Sequence, residues 1–587
     1  MILPFFSKFL QMRGLGSVLP NCCFAKEAGN MTGYTIGCDY GTLSMRAVLV
    51  RLEDGAVLAE QVYEYPDAVI TDRLPGTDVA LKGPGWALQN PEDWMNALTT
   101  CVPAIVKQAG VDKQDIKGLA VDFTTCTVLP MDEQGTPLCQ LEQYRRRPHA
   151  WPKLWKNHTA VEEAEQFTAL DAEKNYGVLS DYGFRASSEF FFPKLLNTLR
   201  NDEEVYNAAY TFIEAGDYVT YKMTGELNRS SCLAAAKSQY DCTGRGYPPK
   251  EFFRDLDPRF ENVVEDKHLG NIVTIGSRAG LLQPEMAEKL GLAAGMPVGI
   301  AHADAAIALV GAGVTKPNEI TFIMGTSTCH MMMAETKEQI PGMFGVYMDG
   351  ILPGCFTYEA GQSAVGDIFD WFCRRMVPQS YFEEANARGV AIQKVLDEKA
   401  GAIPVGTSGV MALDWMNGNR SILQDADLTG MIMGLTLSTK AEEVYRALIE
   451  ATAFGTRVIM EAFAQYNVPV HKIFACGGLA HKSPVLMQIY ADILNTPITV
   501  TAVKQTSALS AAIFAAVSTG AADGGYDTFE EAVAHMVQPP KCVYTPNPEN
   551  VEKYNSLYKV YRAMHDYLGD QNSPMKELRR IQRACIQ

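Results

Sequence analysis

The fold of this chain is decided by two segments, IGCDYGTLSMR at residues 36–46 and IMGTSTCH at residues 323–330. Each segment places a Gly-Thr turn between two apolar runs typical of strands, and the two turns are separated by about half of the chain. Glycine lets the backbone approach a ligand closely, and consecutive N–H groups in a tight turn form a concavity that binds anions. The repeat therefore predicts two similar halves that hold a polyphosphate between their turns, across a cleft.

The composition excludes several classes of partner. The chain has 587 residues, 47% of them hydrophobic and 20% charged, so it is too long for a single core. A formal net charge of −17 argues against nucleic acid or an anionic membrane as the main partner. The 14 cysteines include no Cys-x-x-Cys pair, and no apolar run reaches the roughly 18 residues of a membrane span. We therefore expect reduced, buried thiols and a cytoplasmic protein.

The first 30 residues of the chain differ in composition from the rest. Aromatic and basic side chains are interleaved there, and Glu27 is the single acidic residue. We place residues 1–31 outside the fold as an N-terminal extension. Either the segment is a targeting presequence, or translation starts upstream of a natural start at Met31. Residues 32–300 are then expected to form an N-terminal domain, and residues 301–587 a C-terminal domain.

Turn signals and apolar periodicity predict the elements around the two turns. The polar stretch after residue 568 is expected to be a loose tail. The predicted elements are an antiparallel meander (Tyr34–Tyr65), strands (Ile116–Val121, Pro297–Ile300, Ile473–Cys476) and helices (Asp93–Gly110, Thr159–Leu170, Asp202–Tyr210, Ala305–Gly311, Ser438–Phe463, Ser483–Leu494, Ala508–Val517, Tyr554–Leu568).

Four polar residues surround the first turn. Asp39 precedes it, and a carboxylate beside phosphate oxygens is chemically sensible when Mg²⁺, often through its water shell, lies between them. Thr42 and Ser44 offer hydroxyl donors to phosphate, and Arg46 offers a cation at the mouth of the turn. The alternative for such a segment is a plain hairpin turn, which the second copy of the pattern makes less attractive.

Two further junctions between a strand and a helix are candidate functional sites. Asp304 precedes an apolar helix, where it is either a structural N-cap or a general base kept ionised by the positive end of the helix. Gly477-Gly478 follows a strand, and glycines there allow a flat ring to lie against the backbone.

After Thr32 the chain resembles the FGGY carbohydrate kinases. The segment from Asp39 to Arg46 resembles the first phosphate motif of that family, and Gly325-Thr326-Ser327 resembles the second. Residues 477–492 resemble its adenosine motif, and residues 434–454 its C-terminal pattern. The resemblance implies an α/β protein with a two-lobed actin/hexokinase-like fold, in which duplicated ribonuclease-H-like domains surround a central cleft. The N-terminal lobe would bind the sugar and the C-terminal lobe would bind ATP.

The resemblance also implies roles for individual residues. Asp304 would be the catalytic base, and Asp39 would help to hold Mg²⁺. For the residues expected at the sugar, the alternative is structural pairing; they are Thr125, Lys237, Asp304 and Glu359. The residues expected at ATP are Gly41, Thr42, Ser44, Arg46, Gly325, Thr326, Gly366, Gly478 and Lys482.

Three segments are most similar to the branch of the family that phosphorylates L-ribulose, and these are residues 122–127, 154–164 and 358–368. The resemblance thus implies transfer of the γ-phosphoryl group of ATP to the 5-hydroxyl of L-ribulose, in pentose (arabinose) catabolism. The alternatives are a kinase for D-ribulose or xylulose and a sugar-binding regulator without catalysis. The expected partner is a small ketopentose, with no nucleic acid and no membrane, and a homodimer is an open alternative for the assembly.

Overall fold

The computed structural model describes residues 33–343, 345–503 and 505–586. The prediction for residues 1–31 lies outside these ranges. In the described ranges, no helix combines the length and the apolar composition needed to cross a membrane.

The first half of the chain, residues 33–311, forms one large sheet, several flanking helices and two short strand pairs. It extends past the expected boundary at residue 300, because residues 302–303 pair with a strand of the first sheet. Its strands are β1 (Tyr34–Tyr40), β2 (Ser44–Arg51), β3 (Val57–Glu64), β4 (Ile116–Phe123), β5 (Val128–Met131), β6 (Thr211–Glu214), β7 (Asn228–Ser230), β8 (Asn271–Val273), β9 (Arg278–Leu281), β10 (Pro297–Gly299) and β11 (His302–Ala303). Its helices are α1 (Pro91–Ala109), α2 (Val161–Lys174), α3 (Phe191–Asn201), α4 (Glu203–Ala208), α5 (Ala215–Thr224), α6 (Ser231–Lys237), α7 (Lys250–Leu256), α8 (Val263–Lys267), α9 (Pro284–Leu290) and α10 (Asp304–Gly311).

The second half forms another large sheet and a strand pair. Its strands are β12 (Glu319–Met324), β13 (Thr328–Ala334), β14 (Gly345–Met348), β15 (Phe356–Gln362), β16 (Met411–Leu413), β17 (Met431–Met433), β18 (Lys472–Cys476), β19 (Ile498–Val500) and β20 (Cys542–Tyr544). Its helices are α11 (Gly366–Met376), α12 (Gln379–Arg388), α13 (Ile392–Gly401), α14 (Ala441–Gln465), α15 (Gly478–Lys482), α16 (Pro484–Leu494), α17 (Thr506–Thr519), α18 (Phe529–Met536), α19 (Pro548–Gly569) and α20 (Pro574–Ile586).

The two large sheets share one topology. The first has the order β3-β2-β1-β4-β10-β9, with β11 also paired to β4, and the second has the order β14-β15-β13-β12-β18-β19-β20. In each, an antiparallel meander leads into parallel strands: β1 pairs antiparallel with β2 and parallel with β4, as β12 pairs antiparallel with β13 and parallel with β18. Each Gly-Thr turn joins the first two strands of its meander, so the sequence repeat corresponds to a structural repeat.

A third region of core lies in the insert between β5 and β8. Its aromatic side chains pack edge to face, as Phe167 does on Phe252 with ring centroids 5.3 Å apart. The sequence predicts no helix between residues 170 and 202. The structure begins α3 at Phe191, where the aromatic residues form the buried face of the helix.

The structure also contradicts one alternative considered for Asp304 and the expectation for the C-terminal tail. Asp304 is not the N-cap of α10, because Ala303 occupies that position with extended backbone and Asp304 is the first helical residue. The C-terminal tail is not loose, because α20 follows α19 and is attached to the loop that carries Asp425 and Asp427. The ammonium of Lys576 pairs with Asp425, and the guanidinium of Arg583 pairs with Asp427.

Helix α17 belongs to the second half of the sequence but packs on the first sheet. A Cβ atom added to Gly37 of β1 would lie 1.9 Å from the carbonyl oxygen of Ala508, and one added to Gly118 of β4 would lie 2.9 Å from that of Ala515. The Thr35 hydroxyl donates a hydrogen bond to the Ala512 carbonyl oxygen at 2.9 Å. These glycines therefore set the distance between helix and sheet.

We predict that Gly37→Ala lowers the free energy of unfolding by about 3 kcal/mol, because the added methyl group forces α17 away from the sheet. Denaturant unfolding of both proteins measures the change. Gly345→Ala is the matched control, since its Cβ would make an ordinary contact 3.5 Å from Tyr347. Equal stability of the Gly37 variant and the wild type would show that α17 is not held this closely.

Candidate active site

A cavity of about 290 Å³ lies where the two halves meet. Four of the predicted site residues line it from the first half, and they are Asp39, Gly41, Arg46 and Asp304. From the second half it is lined by residues at the ends of β12 and β18 and at the start of α17, and they are Ile323, Cys476, Gly477, Gln505, Thr506 and Ser507. The structure therefore brings the first turn, the candidate base and the glycine junction to one cleft.

The first turn is held in place by side chains from outside it. The Gly41 N–H donates to the Ser44 carbonyl oxygen at 3.0 Å, which closes the turn. The Gln89 amide donates to the Thr42 carbonyl oxygen at 2.8 Å, and the Trp155 indole N–H donates to the Thr42 hydroxyl at 3.1 Å. Ser44 is buried, whereas Thr42 remains partly exposed. The turn is thus fixed before any ligand arrives.

Three carboxylates converge beside this turn. Asp39 and Asp122 are register partners at the ends of β1 and β4, and Asp304 follows β11, which also pairs with β4. Arg46 lies 3.3 Å from Asp39 and opposes the effect of burial, which raises the pKa of Asp39. Burial, followed by the charges of Asp39 and Asp304, raises the pKa of Asp122 well above its ordinary value. A cation at this position would relieve the repulsion among the three groups.

Asp304 has the environment of a tuned acid–base group. Burial, followed by the charge of Asp39, raises the pKa of Asp304 to about 7, although the Ala305 N–H donates to its carboxylate at 2.8 Å and opposes the shift. The Ser507 hydroxyl donates to the Asp304 carbonyl oxygen at 3.3 Å, which ties the start of α10 to the start of α17. A carboxylate with a pKa near neutrality in a cleft is suited to proton transfer.

The second turn is joined to the start of α11. The Gly366 N–H donates to the Gly325 carbonyl oxygen at 3.2 Å, and the Asp367 N–H donates to that of Thr326 at 3.2 Å. A Cβ on Gly366 would lie 2.6 Å from the Gly325 carbonyl oxygen, so only glycine allows this approach. The structure therefore places three of the predicted nucleotide residues together, namely Gly325, Thr326 and Gly366.

The glycine junction after β18 has two different glycines. Gly477 has a φ of 90°, and a Cβ there would lie 2.4 Å from the Met324 carbonyl oxygen, so the backbone of the junction passes against the end of β12. Gly478 and Lys482, at the two ends of α15, are exposed, and a Cβ on Gly478 would have no neighbour within 4 Å. The open face at Gly478 leaves room for a flat ring.

The predicted sugar residues come from several elements. Lys237 ends α6, and its Nζ lies 3.7 Å from Oε2 of Glu359 in β15. The Arg420 guanidinium lies 2.9 Å from the other carboxylate oxygen of Glu359. After burial and the charge of Asp39, the charge of Glu359 also contributes to the raised pKa of Asp304. Lys237 and Glu359 are thus in contact, and Arg420 joins them.

Thr125 lies in a strained turn after β4. The next residue, Cys126, has a φ of 64°, a conformation that costs energy for a residue with a side chain. The buried Lys194 stabilises this turn, because its ammonium donates to the Cys126 carbonyl oxygen at 2.5 Å and to that of Leu154 at 3.0 Å. Thr125 itself is partly exposed, on a turn whose backbone is fixed by the buried Lys194.

The residues beside the first turn fit a magnesium ion. Among the described residues, no three His, Cys, Asp or Glu side chains are grouped as a protein-only metal cage. The donor set instead consists of the Asp39 carboxylate and, behind it, the buried carboxylate of Asp122, the register partner of Asp39. Magnesium in phosphate-handling sites is commonly held by one or two carboxylates together with water and the phosphates themselves.

The sequence profile for the N-terminal domain of the FGGY family of carbohydrate kinases matches residues 34–311, and the profile for its C-terminal domain matches residues 320–519. This chain belongs to that family and is a sugar kinase, for which ATP is the implied phosphoryl donor. A curated relative named ribulokinase, from Halalkalibacterium halodurans, is 48% identical over 551 residues, which cover 94% of this chain and 98% of the relative. A ribulokinase from Geobacillus thermodenitrificans is 48% identical over 547 residues, which cover 93% of this chain and 96% of that relative.

Solved structures confirm the predicted fold class. The xylulose kinase from Rhodospirillum rubrum matches with a TM-score of 0.74 at 23% identity, covering 91% of this chain and 99% of that one. The glycerol kinase from Plasmodium falciparum, solved with ADP, matches with a TM-score of 0.73 at 16% identity. The match covers 91% of this chain and 98% of that one. The two-lobed actin/hexokinase-like α/β fold is therefore the fold of this protein.

Sequence reasoning missed three residues of the site. Asp122 lies in a segment that the sequence analysis singled out, and its place at the end of a buried strand was an available signal. The only signal for Lys194 is that it follows closely after three aromatic residues, 190–192, and nothing near Arg420 in the sequence marks that residue. Both cations act on partners distant in the chain, Cys126 and Glu359.

We predict that Gly366→Ala weakens nucleotide binding about tenfold, which corresponds to about 1.4 kcal/mol. The added methyl group would displace the second turn, because it would lie 2.6 Å from the Gly325 carbonyl oxygen. Calorimetric titration with ATP measures the change, and the affinity for the sugar serves as the internal control. Nucleotide affinity within twofold of the wild type would contradict a role for this contact.

Proposed function

We propose that this enzyme transfers the γ-phosphoryl group of ATP to the 5-hydroxyl of L-ribulose. The observation that carries the proposal is the cavity in which Gly41, Asp304 and Gly477 meet, since it puts a candidate phosphate turn, a base and a nucleotide junction side by side. The relatives named ribulokinase, similar over nearly the whole chain, support ribulose as the sugar. The product would be L-ribulose 5-phosphate, within pentose catabolism.

Asp304 would act as the general base. Its carboxylate accepts the proton of the 5-hydroxyl as the hydroxyl oxygen bonds to the γ-phosphorus, and the bond from that phosphorus to the bridging oxygen of ADP breaks. Such a transfer passes through a loose transition state, so alignment and charge stabilisation contribute most. The raised pKa of Asp304, about 7, matches the task of taking a proton near neutral pH.

The two turns would hold the phosphates from opposite sides. The backbone N–H groups and hydroxyls of the first turn act with Arg46, and Gly325 and Thr326 act from the other half, with Gly366 supporting them. A bound Mg²⁺ would supply positive charge to the phosphate oxygens, and Asp39 would help to hold it. Gly478 and Lys482 would contact the adenosine, with the open face at Gly478 accepting the ring.

The sugar would lie between Asp304 and the pair formed by Lys237 and Glu359. The Glu359 carboxylate accepts hydroxyl hydrogens, and the Lys237 ammonium donates to sugar oxygens. Thr125 would limit the width of this pocket from the turn that Lys194 stabilises. A sugar placed in this way presents one terminal hydroxyl to Asp304.

A panel of substrates tests the identity of the sugar. We predict sugar-dependent release of ADP that is fastest with L-ribulose when kcat/KM is compared among L-ribulose, D-ribulose, both xyluloses and glycerol. Preference for a xylulose or for D-ribulose would overturn the assignment to L-ribulose but keep the kinase. Absence of turnover with every sugar would overturn the proposal.

We predict that Asp304→Asn lowers kcat by roughly two to four orders of magnitude, the usual contribution of general-base catalysis, while ATP and sugar still bind. In the wild type the base is active when ionised, so kcat/KM should rise as the pH increases towards and beyond about 7. The variant should lack this acidic limb. Normal turnover of the variant, or a retained limb, would show that Asp304 is only a structural residue of α10.

A further inference from the structure

Glu359 is held by cations from both halves of the chain. Lys237 of the first half approaches one carboxylate oxygen at 3.7 Å, and Arg420 of the second half approaches the other at 2.9 Å. The Glu359 side chain is only 13% exposed, so its charge depends on these two partners for compensation. At 2.9 Å the Arg420 contact is a direct hydrogen bond, whereas the Lys237 contact is a longer ion pair.

Arg420 is itself fixed against the backbone of β15. A Cβ on Gly361 would lie 3.5 Å from both Cδ and Nη1 of Arg420, so the side chain passes closely over this glycine. The neighbouring Ser421 hydroxyl accepts a hydrogen bond from the Gly361 N–H at 3.2 Å, which joins the two segments. The guanidinium therefore reaches Glu359 from an anchored backbone.

A cavity of about 340 Å³ borders the same arginine. Aromatic and amide side chains line it beside Arg420, among them Tyr182, Phe190, Asn417 and Asn419. The Phe190 ring also lies 5.6 Å from the Lys237 ammonium, so the cavity and the Glu359 cluster share this wall. A few polar groups among aromatic rings are typical of sites for small polar ligands.

We propose that Arg420 positions Glu359 to accept the hydroxyls of the sugar. The Arg420 hydrogen bond to Oε1 and the longer Lys237 contact to Oε2 hold the carboxylate at both oxygens, and each oxygen keeps a lone pair for a ligand that enters beside Phe190. Without Arg420, the carboxylate turns towards Lys237 and loses its orientation to the sugar. This inference rests on the proposed sugar kinase activity and adds a residue of the second half to the recognition of the sugar.

The test is the effect of Arg420→Gln on the two substrates separately. We expect KM for the sugar to rise about 10- to 100-fold, the range for loss of a hydrogen bond to a charged group, while kcat and KM for ATP stay within about threefold. Arg420→Lys, which keeps the charge but loses the planar fork, should restore part of the affinity. Calorimetric titration of the full-length enzyme with sugar alone gives a second readout that needs no turnover.

A double-variant cycle separates positioning from an independent contact. If Arg420 acts through Glu359, then Glu359→Gln combined with Arg420→Gln should bind sugar no more weakly than Glu359→Gln alone. Additive losses, or an unchanged KM in Arg420→Gln, would overturn the inference. Arg446→Gln is the matched control, because Arg446 forms a buried 2.8 Å pair with Glu450 in the same half. It should lower the melting temperature and leave KM for the sugar unchanged.

The proposed function and this inference fail in different ways. If the wild type binds and phosphorylates none of the sugars, the proposed function and the role of Arg420 that rests on it are both wrong. If the wild type binds a ketopentose and the Arg420 variants bind it equally well, only the role of Arg420 is wrong.

Discussion

The close packing of α17 on the first sheet is the contact on which the site depends. Gly37 and Gly118 let this helix lie directly on β1 and β4, and Gly311 does the same where α17 meets α10, since a Cβ there would lie 2.4 Å from the Thr506 carbonyl oxygen. The start of α17 then lines the cleft beside Asp304, and the Ser507 hydroxyl donates a hydrogen bond to the Asp304 carbonyl oxygen. A helix of the second half thus fixes the position of Asp304, the proposed base, in the first half.

The electrostatics of the cleft explain how an acidic protein can bind a polyanion. The chain carries a net charge of −17, and three carboxylates lie beside the first turn. Burial, and after it their mutual repulsion, raises the pKa of Asp122 and of Asp304, and a divalent cation would offset the repulsion. Arg46 and the N–H groups of the two turns supply local positive potential against the overall field. The same crowding would favour a bound cation and contributes to the raised pKa of Asp304, the proposed base.

Much of the fold was predictable because its signals are local. The Gly-Thr repeat indicated two related halves, and the apolar periodicity located α1, α14, α16 and α17 to within a few residues. The errors arose where tertiary contacts decide: α20 is held by Asp425 and Asp427, and α3 by the packing of the aromatic insert. In the site, motif residues around Asp39 and Asp304 were found from their neighbours in sequence. Arg420 was not found in this way, because its role depends only on its contact with Glu359, which is distant in the chain.

The most direct test of the central claim is a crystal structure of the enzyme with a non-hydrolysable ATP analogue, Mg²⁺ and L-ribulose. We expect the β- and γ-phosphates to lie between Gly41-Thr42 and Gly325-Thr326. The 5-hydroxyl of the sugar should lie within hydrogen-bonding distance of the Asp304 carboxylate, about 2.6–3.2 Å. Phosphates bound away from either turn, or a sugar whose hydroxyls do not reach Asp304, would contradict the central claim.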